Sequence, residues 1–337
     1  MNKLLAKMAL VMSVVILLIL SACAPAASET KESTSVSNIT ETIPATPSSE
    51  RSSESTSLNA SSMESISSLE SLDRLDDIIN AAKLESRDKS ASVELYKIRY
   101  KSDDLEVVGY VCAPVDYLEQ KYPVLIWNRG GNQEFGKLTE IEVTAPASAG
   151  FVVLASQYRG NDGGTGTEQF GGDDVNDVIK LIDISERFDF VQSGGVYMAG
   201  HSRGGMMTYI ACKMDDRIKA AAVGAGISDS FAMYESRADM KTVYQSLVGG
   251  TPEIMPEEYI KRSAVRWADE INVPLLIVHG GEKDWRVDTS QAENMATQLE
   301  LYGKEYKLII YEDADHSLQN TDWYSEIVNW FHEHPLN

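Results

Sequence analysis

Ser202 sits in the stretch SGGVYMAGHSRGGMMTYIACK, residues 193–213, between Gly200 and Gly204 with Gly205 behind it. Glycines around a single serine let the backbone bend too sharply for any Cβ, which a nucleophilic serine needs if its hydroxyl is to stand clear. The spacing Gly200-His201-Ser202-Arg203-Gly204 is G-x-S-x-G. Its context gives it meaning: a buried strand over 196–199 runs into the serine, and a helix beginning near Gly204 leaves it. The Oγ is then raised at a helix N-terminus, where the Arg203 N–H is placed to stabilise an oxyanion.

A serine hydroxyl at neutral pH is a poor nucleophile and needs a base that is itself held by a carboxylate. Of the five histidines, His316 in YEDADHSL follows the final apolar strand, so a loop should carry it over the carboxyl end of a sheet. His279, ending LLIVHG, is the alternative base. His201 lies inside the elbow and is expected to point away from the serine, while His332 and His334 fall at the polar end of the last helix. Asp284 in HGGEKDWRVD is the expected carboxylate, with Asp288 its competitor. Trp285 and Val287 are expected to pin that loop and bury one side of the acid. Glu282, Asp313 and Asp315 read as solvated.

These side chains need a scaffold, and the rest of the chain supplies one. SVELYKIRY and LEVVGYVCAP read as an antiparallel pair. After them apolar strands (PVLIWN, FVVLASQY, GVYMAG, IKAAAVGAG, VPLLIVHG, YKLIIYED) alternate with amphipathic helices. The helices include LTEIEVTAPASAG despite Pro146, and DDVNDVIKLIDISERF. That alternation predicts an α/β fold: a mostly parallel twisted sheet with helices on both faces. Residues 227–270 break the rhythm. They are either a small helical cap over the carboxyl edge of the sheet or surface decoration.

GHSRGG, HGGEKDWRV and DADH together resemble the α/β-hydrolase superfamily, and within it the catalytic domain of the prolyl oligopeptidase family, with dienelactone hydrolase-like esterases close by. SQYRGNDGGTG at 156–166 is similar to that family's segment after the second parallel strand, and GGDDVNDV to the acidic helix start that follows. The likeness covers nearly all of 95–334. The order Ser202, Asp284, His316 matches the chain order of that fold. The resemblance implies a second oxyanion donor from WNRGGN. Peptidases of the group often place a tyrosine hydroxyl there, whereas this chain offers Arg129 or a backbone N–H around Arg129 and Gly130. Arg129 is read either as binding a substrate carboxylate or as pairing with Glu134 or Asp162. In many such domains a β-propeller comes first; here that place is expected to be taken by a disordered segment, and the cysteine nucleophile of dienelactone hydrolases is not indicated.

The chain has 337 residues and a formal charge of −21, which argues against nucleic acid or an anionic lipid surface as partner. Residues 1–22 read as an export signal: Lys3 and Lys7, then an apolar run over 8–20, short of the ~20 residues that span a bilayer. The run ends in LSAC, like a bacterial lipoprotein signal, so Cys23 is expected to carry lipid and hold the protein to the outer face of a membrane. From there to residue 74 the composition is Ser, Thr, Glu and Pro, a tether expected to be disordered, with loose helical spacing of Leu and Ile between Leu58 and Leu75 that allows a marginal helix near its end. The catalytic domain is expected over 75–337. Cys112 and Cys212, in apolar surroundings, are expected to be buried free thiols. No Cys/His cluster has metal-ligand spacing, and a triad needs no cofactor. The expectation is a monomeric serine hydrolase for short peptides, the alternatives being an esterase or deacylase of small acyl esters, or a binding lipoprotein without turnover.

Overall fold

The computed structural model of the protein describes residues 64–87 and 90–336. The expected signal, Cys23 and most of the tether lie outside the described residues. Nine strands form one sheet: β1 (Ile78–Leu84), β2 (Val93–Ser102), β3 (Leu105–Pro114), β4 (Val124–Asn128), β5 (Val152–Ser156), β6 (Val196–His201), β7 (Ile218–Gly224), β8 (Leu275–Gly280) and β9 (Tyr306–Tyr311). Their spatial order is β1-β2-β3-β5-β4-β6-β7-β8-β9. The first three strands and the β3–β5 pair are antiparallel. From β5 to β9 every pairing is parallel.

Parallel strands need crossover connections, and the amphipathic segments provide them. The helices are α1 (Ile141–Ser148), α2 (Asp174–Ser185), α3 (Arg203–Met214), α4 (Ser230–Ser236), α5 (Ala238–Leu247), α6 (Pro256–Lys261), α7 (Ser290–Leu301) and α8 (Trp323–Glu333). Strands β4, β5 and β8 are buried at every position and mostly apolar, because both sheet faces are covered. Val124 and Ile126 of β4, with Val196 and Met198 of β6, face a core shared with α2, α3 and α7. Leu125 and Trp127 of β4, with Tyr197 and Ala199 of β6, face a second core shared with α1 and α8. Each Val, Leu, Ile or Met among these, fully buried, contributes about 2 kcal/mol over leaving it in water. The expected fold class is the observed one.

Two boundaries differ from the sequence reading. The packed chain does not begin at 75: Ile66, Leu69, Leu72 and Leu75 are all buried in the first core, and Ile66 exchanges backbone hydrogen bonds with Arg187 and Asp189. Leu69 and Leu72 lie in a short 3₁₀ helix (Leu69–Arg74) with Leu75 at its C-cap, and with Ile66 they make a row of apolar residues spaced by three. Strand β1 was not foreseen either. Only its Ile78 is buried, so it shows no alternation.

Residues 227–270 fold into α4, α5 and α6 around their own aromatic contacts, with Tyr244 stacked on Tyr259 at 5.2 Å. Buried Arg262 ties this excursion down through Phe170 O at 3.0 Å and Gln169 O at 3.1 Å. Cys112 and Cys212 are buried free thiols. Among the described residues, no helix is long and apolar enough to cross a membrane.

Candidate active site

The elbow begins where β6 ends. Ser202 has φ 58° and ψ −123°, a conformation normally left to glycine. Its N–H donates to Gly224 O at 2.8 Å, so the neighbouring strand β7 holds the strained residue in place. Backbone crowding explains the glycines: a Cβ on Gly204 would lie 2.0 Å from Asn128 O, and one on Gly200 would lie 2.2 Å from Gly204 O. Strand and helix close on each other so tightly that only hydrogen fits.

Two loops at the same carboxyl end bring in the partners. The loop after β9 places His316 Nε2 3.0 Å from Ser202 Oγ. The loop after β8 places Asp284 Oδ2 2.9 Å from His316 Nδ1. The other carboxylate oxygen of Asp284 accepts the N–H groups of Arg286 and Val287, both at 3.0 Å. Burial alone would push the Asp284 carboxyl up. The His316 hydrogen bond and charge, with the Val287 N–H, outweigh it and hold the group below the ordinary carboxylate range. Ser202, Asp284 and His316, distant in the chain, are therefore brought into one hydrogen-bonded line.

The other candidates go elsewhere. His279 is buried; its Nδ1 bonds Gly280 O at 2.8 Å and stands 3.9 Å from Asp284 Oδ2, while its Nε2 has no protein partner. Asp288 accepts the Ser290 N–H at the start of α7. Asp313 pairs with Lys283 and Asp315 with Ser317. His334 bonds Glu305. One expectation is corrected: Trp285 does not cover the acid. It is 67% exposed, with the Arg286 guanidinium 4.6 Å from its ring. The backbone amides fix Asp284 instead.

Arg129 is also corrected. Its side chain is fully buried and reaches neither Glu134 nor Asp162. It donates to Gln157 O, Gln133 O, Gly130 O and Gly136 O at 3.0–3.2 Å, and its carboxylate neighbour is Glu168 at 3.7 Å. Arg129 thus shapes the 130–136 turn from behind and is not among the cavity-lining residues. Gly130 does approach the serine: a Cβ there would lie 3.1 Å from Ser202 Cβ and 3.7 Å from its Oγ. The Arg129 carbonyl accepts from Tyr158 Oη at 3.0 Å, so the Gly130 N–H of that planar peptide faces away from Tyr158. On the opposite side, the Arg203 N–H occupies the first position of α3, where the helix offers no carbonyl to it.

The Arg203 side chain turns inward. Its guanidinium bonds Glu168 and Asp174 and lies 4.4 Å from the Tyr158 ring. The segment YRGNDGGTG and the acidic start of α2 therefore anchor the elbow: Asp174 takes Arg203, and Asp177 takes the backbone N–H, Nε and Nη2 of Arg159.

A cavity of about 280 Å³ opens onto Ser202 and His316. Phe170, Ile227, Met233, Met240 and Val287 form apolar walls, with Phe135, Glu142, Arg237 and Arg286 also lining it. Residues 227–270 are thus a cap, because three of these walls come from them. Sequence reasoning did not single out Met233, Met240, Arg237 or Arg286. A methionine pair seven apart was a weak signal, and nothing in spacing marked the arginines. Among the described residues, no group of three His, Cys, Asp or Glu side chains is placed to hold a metal ion.

The family model described as prolyl oligopeptidase family matches residues 138–336. The chain is 32% identical over 228 residues to the uncharacterized peptidase YtmA of Bacillus subtilis, covering 67% of this chain and 88% of that one. It is 25% identical over 230 residues to dipeptidyl-peptidase 5 of Porphyromonas gingivalis, covering 64% of this chain and 33% of the relative. Among solved structures, an acylaminoacyl peptidase in complex with Z-Gly-Gly-Phe-chloromethyl ketone superposes with a TM-score of 0.62 at 26% identity, covering 72% of this chain and 41% of that chain. The chain therefore spans most of the Bacillus protein but well under half of the two longer relatives. A family model over more than half the residues, with a relative above 30% identity, settles the kinship: the chain belongs to the prolyl oligopeptidase family of serine hydrolases.

Proposed function

We propose that the protein is a serine peptidase of short peptides working through an acyl-enzyme. One observation carries this reading: the unbroken line from Ser202 Oγ to His316 Nε2 (3.0 Å) and from His316 Nδ1 to Asp284 (2.9 Å), opening onto an apolar-walled cavity. Ser202 Oγ attacks the acyl carbonyl as His316 Nε2 takes its proton. Asp284 keeps the imidazole in the Nδ1–H tautomer and stabilises the imidazolium that forms. The oxyanion is held by the N–H groups of Arg203 and Gly130. His316 then returns the proton to the leaving amine, and water, deprotonated by the same imidazole, releases the acyl group. The peptide names of the relatives and the tripeptide inhibitor in the acylaminoacyl peptidase support an amide substrate. A cavity of about 280 Å³ suits one side chain or short acyl group.

A fluorophosphonate probe tests the chemistry: wild type should be labelled and Ser202→Ala should not. Aminoacyl and dipeptidyl anilides, run beside p-nitrophenyl esters of several lengths, test the substrate. Turnover of esters alone would move the assignment to the esterase alternative.

We also propose that Cys23 is lipidated and holds the hydrolase outside the cytoplasm, a reading supported by the charged start, apolar run and LSAC of residues 3–23. Mass analysis of the processed N-terminal peptide checks it, and Cys23→Ala should release the protein into the medium.

A further inference from the structure

His201, the residue before the nucleophile, does not simply point away from it. Its Nε2 lies 2.7 Å from the main-chain carbonyl oxygen of His316. A carbonyl can only accept, so Nε2 must carry the proton, and the ring is the Nε2–H tautomer. The two imidazoles stand 4.9 Å apart, and the far side of the His201 ring meets Trp323 at 5.8 Å. Gly224 fits against it so closely that a Cβ there would come 3.3 Å from His201 Cδ2. Burial, with the nearby His316 charge, pushes the His201 imidazole down to about 4, so it stays a neutral donor across the working range of a histidine base.

We propose that His201 is a positioning residue for the base: its Nε2–H grips the carbonyl of His316 and ties the loop after β9 to the rigid end of β6. This inference rests on the proposed triad. The mechanical need is plain. His201 is held in the sheet by pairing with Gly224, whereas His316 rides a loop whose Leu318 and Asn320 have φ of 53° and 62°. The side chain of His316 has its two nitrogens committed to Asp284 and Ser202, so neither can set the height of its backbone. The same strand end that carries the nucleophile thus carries the clamp for its base, which links Ser202 to the His316 backbone through one peptide bond and one hydrogen bond. A displacement of about 1 Å at such a site costs on the order of a hundredfold in rate.

The test compares His201→Phe, which fills the space without a donor, with His201→Gln, whose side-chain amide reaches about as far and can donate. The expected result is a fall in kcat of roughly ten- to a hundredfold for His201→Phe with KM unchanged. His201→Gln should recover most of the loss, and the rate of fluorophosphonate labelling should follow kcat. In parallel, the proton resonance of His316 Nδ1–H, shared with Asp284, should broaden or shift in His201→Phe and return in His201→Gln. Wild-type kcat in His201→Phe, or equal losses in both variants alongside equal falls in Tm, would overturn the clamp. Should wild type neither label nor turn over, the hydrolase reading fails instead. The resonance then decides the clamp by itself: unchanged in His201→Phe it is refuted, perturbed and rescued it stands.

Discussion

Asp284 Oδ2 lies 2.9 Å from His316 Nδ1 but 3.9 Å from His279 Nδ1, so a single carboxylate oxygen selects between two imidazoles. His279 ends a central strand, and its ring is committed to the Gly280 carbonyl. His316 comes from a loop that carries it to the serine, where Asp284 and Ser202 Oγ take its two nitrogens. His316→Gln should therefore cut kcat by about 10⁴-fold or more. His279→Gln should leave Ser202 labelling intact and lower stability by about 1–3 kcal/mol, the cost of disturbing a buried polar group. Probe labelling and thermal melts of both variants distinguish these outcomes.

Removing the charge of Asp284 tests the other half of the line. Asp284→Asn should stay folded and lose roughly 10⁴-fold in kcat, because an amide cannot hold His316 in the Nδ1–H tautomer while it accepts a proton. Its pH dependence has a definite sign. The folded carboxyl titrates below its ordinary value, so the stability it adds is present above about pH 4 and lost as pH falls through the depressed value. The Tm advantage of wild type over Asp284→Asn should shrink as pH falls below about 4. A constant difference would show that the carboxylate is not held by its partners.

Strain at the nucleophile predicts a stability ranking among inactive variants. Ser202 keeps φ at 58°, which costs a residue with a Cβ of order 1–3 kcal/mol. Glycine escapes that cost and gives back part of it through a freer unfolded chain. Ser202→Gly should accordingly be more stable than Ser202→Ala by about 1 kcal/mol, read by urea titration. Equal midpoints would mean that the elbow stores no strain.

In the proposed mechanism Arg203 serves through its N–H, and its side chain does something else. Arg203→Met would leave the buried carboxylates of Glu168 and Asp174 without their main partner, at a cost of about 3–5 kcal/mol. The backbone donor would remain. Melting temperature should drop sharply, while fluorophosphonate labelling of the protein that is still folded, measured well below that temperature, should persist. Loss of labelling in the folded protein would place the guanidinium itself in the chemistry.

The mostly parallel sheet, the elbow, and the choice of His316 and Asp284 over their rivals were legible in the chain, because each depends on local order. A strand runs straight into Ser202, its glycines are adjacent in sequence, and the acid and the base each follow an apolar strand by a few residues. The packed start at Ile66 was legible only as a loose helical spacing of Leu and Ile, and the edge strand β1 was not legible, since only Ile78 of it is buried.

By itself, then, the amino-acid order determined which residues are drawn to the carboxyl edge of one sheet, since strand periodicity and backbone sterics act over short spans. Only the tertiary structure decided what those residues touch. It turned Arg129 and Arg203 inward to buried carboxylates and carbonyls, left Trp285 in solvent, and set His201 against the carbonyl of His316. Such contacts join positions far apart in the chain, and they depend on distances of a few tenths of an ångström that no local pattern encodes.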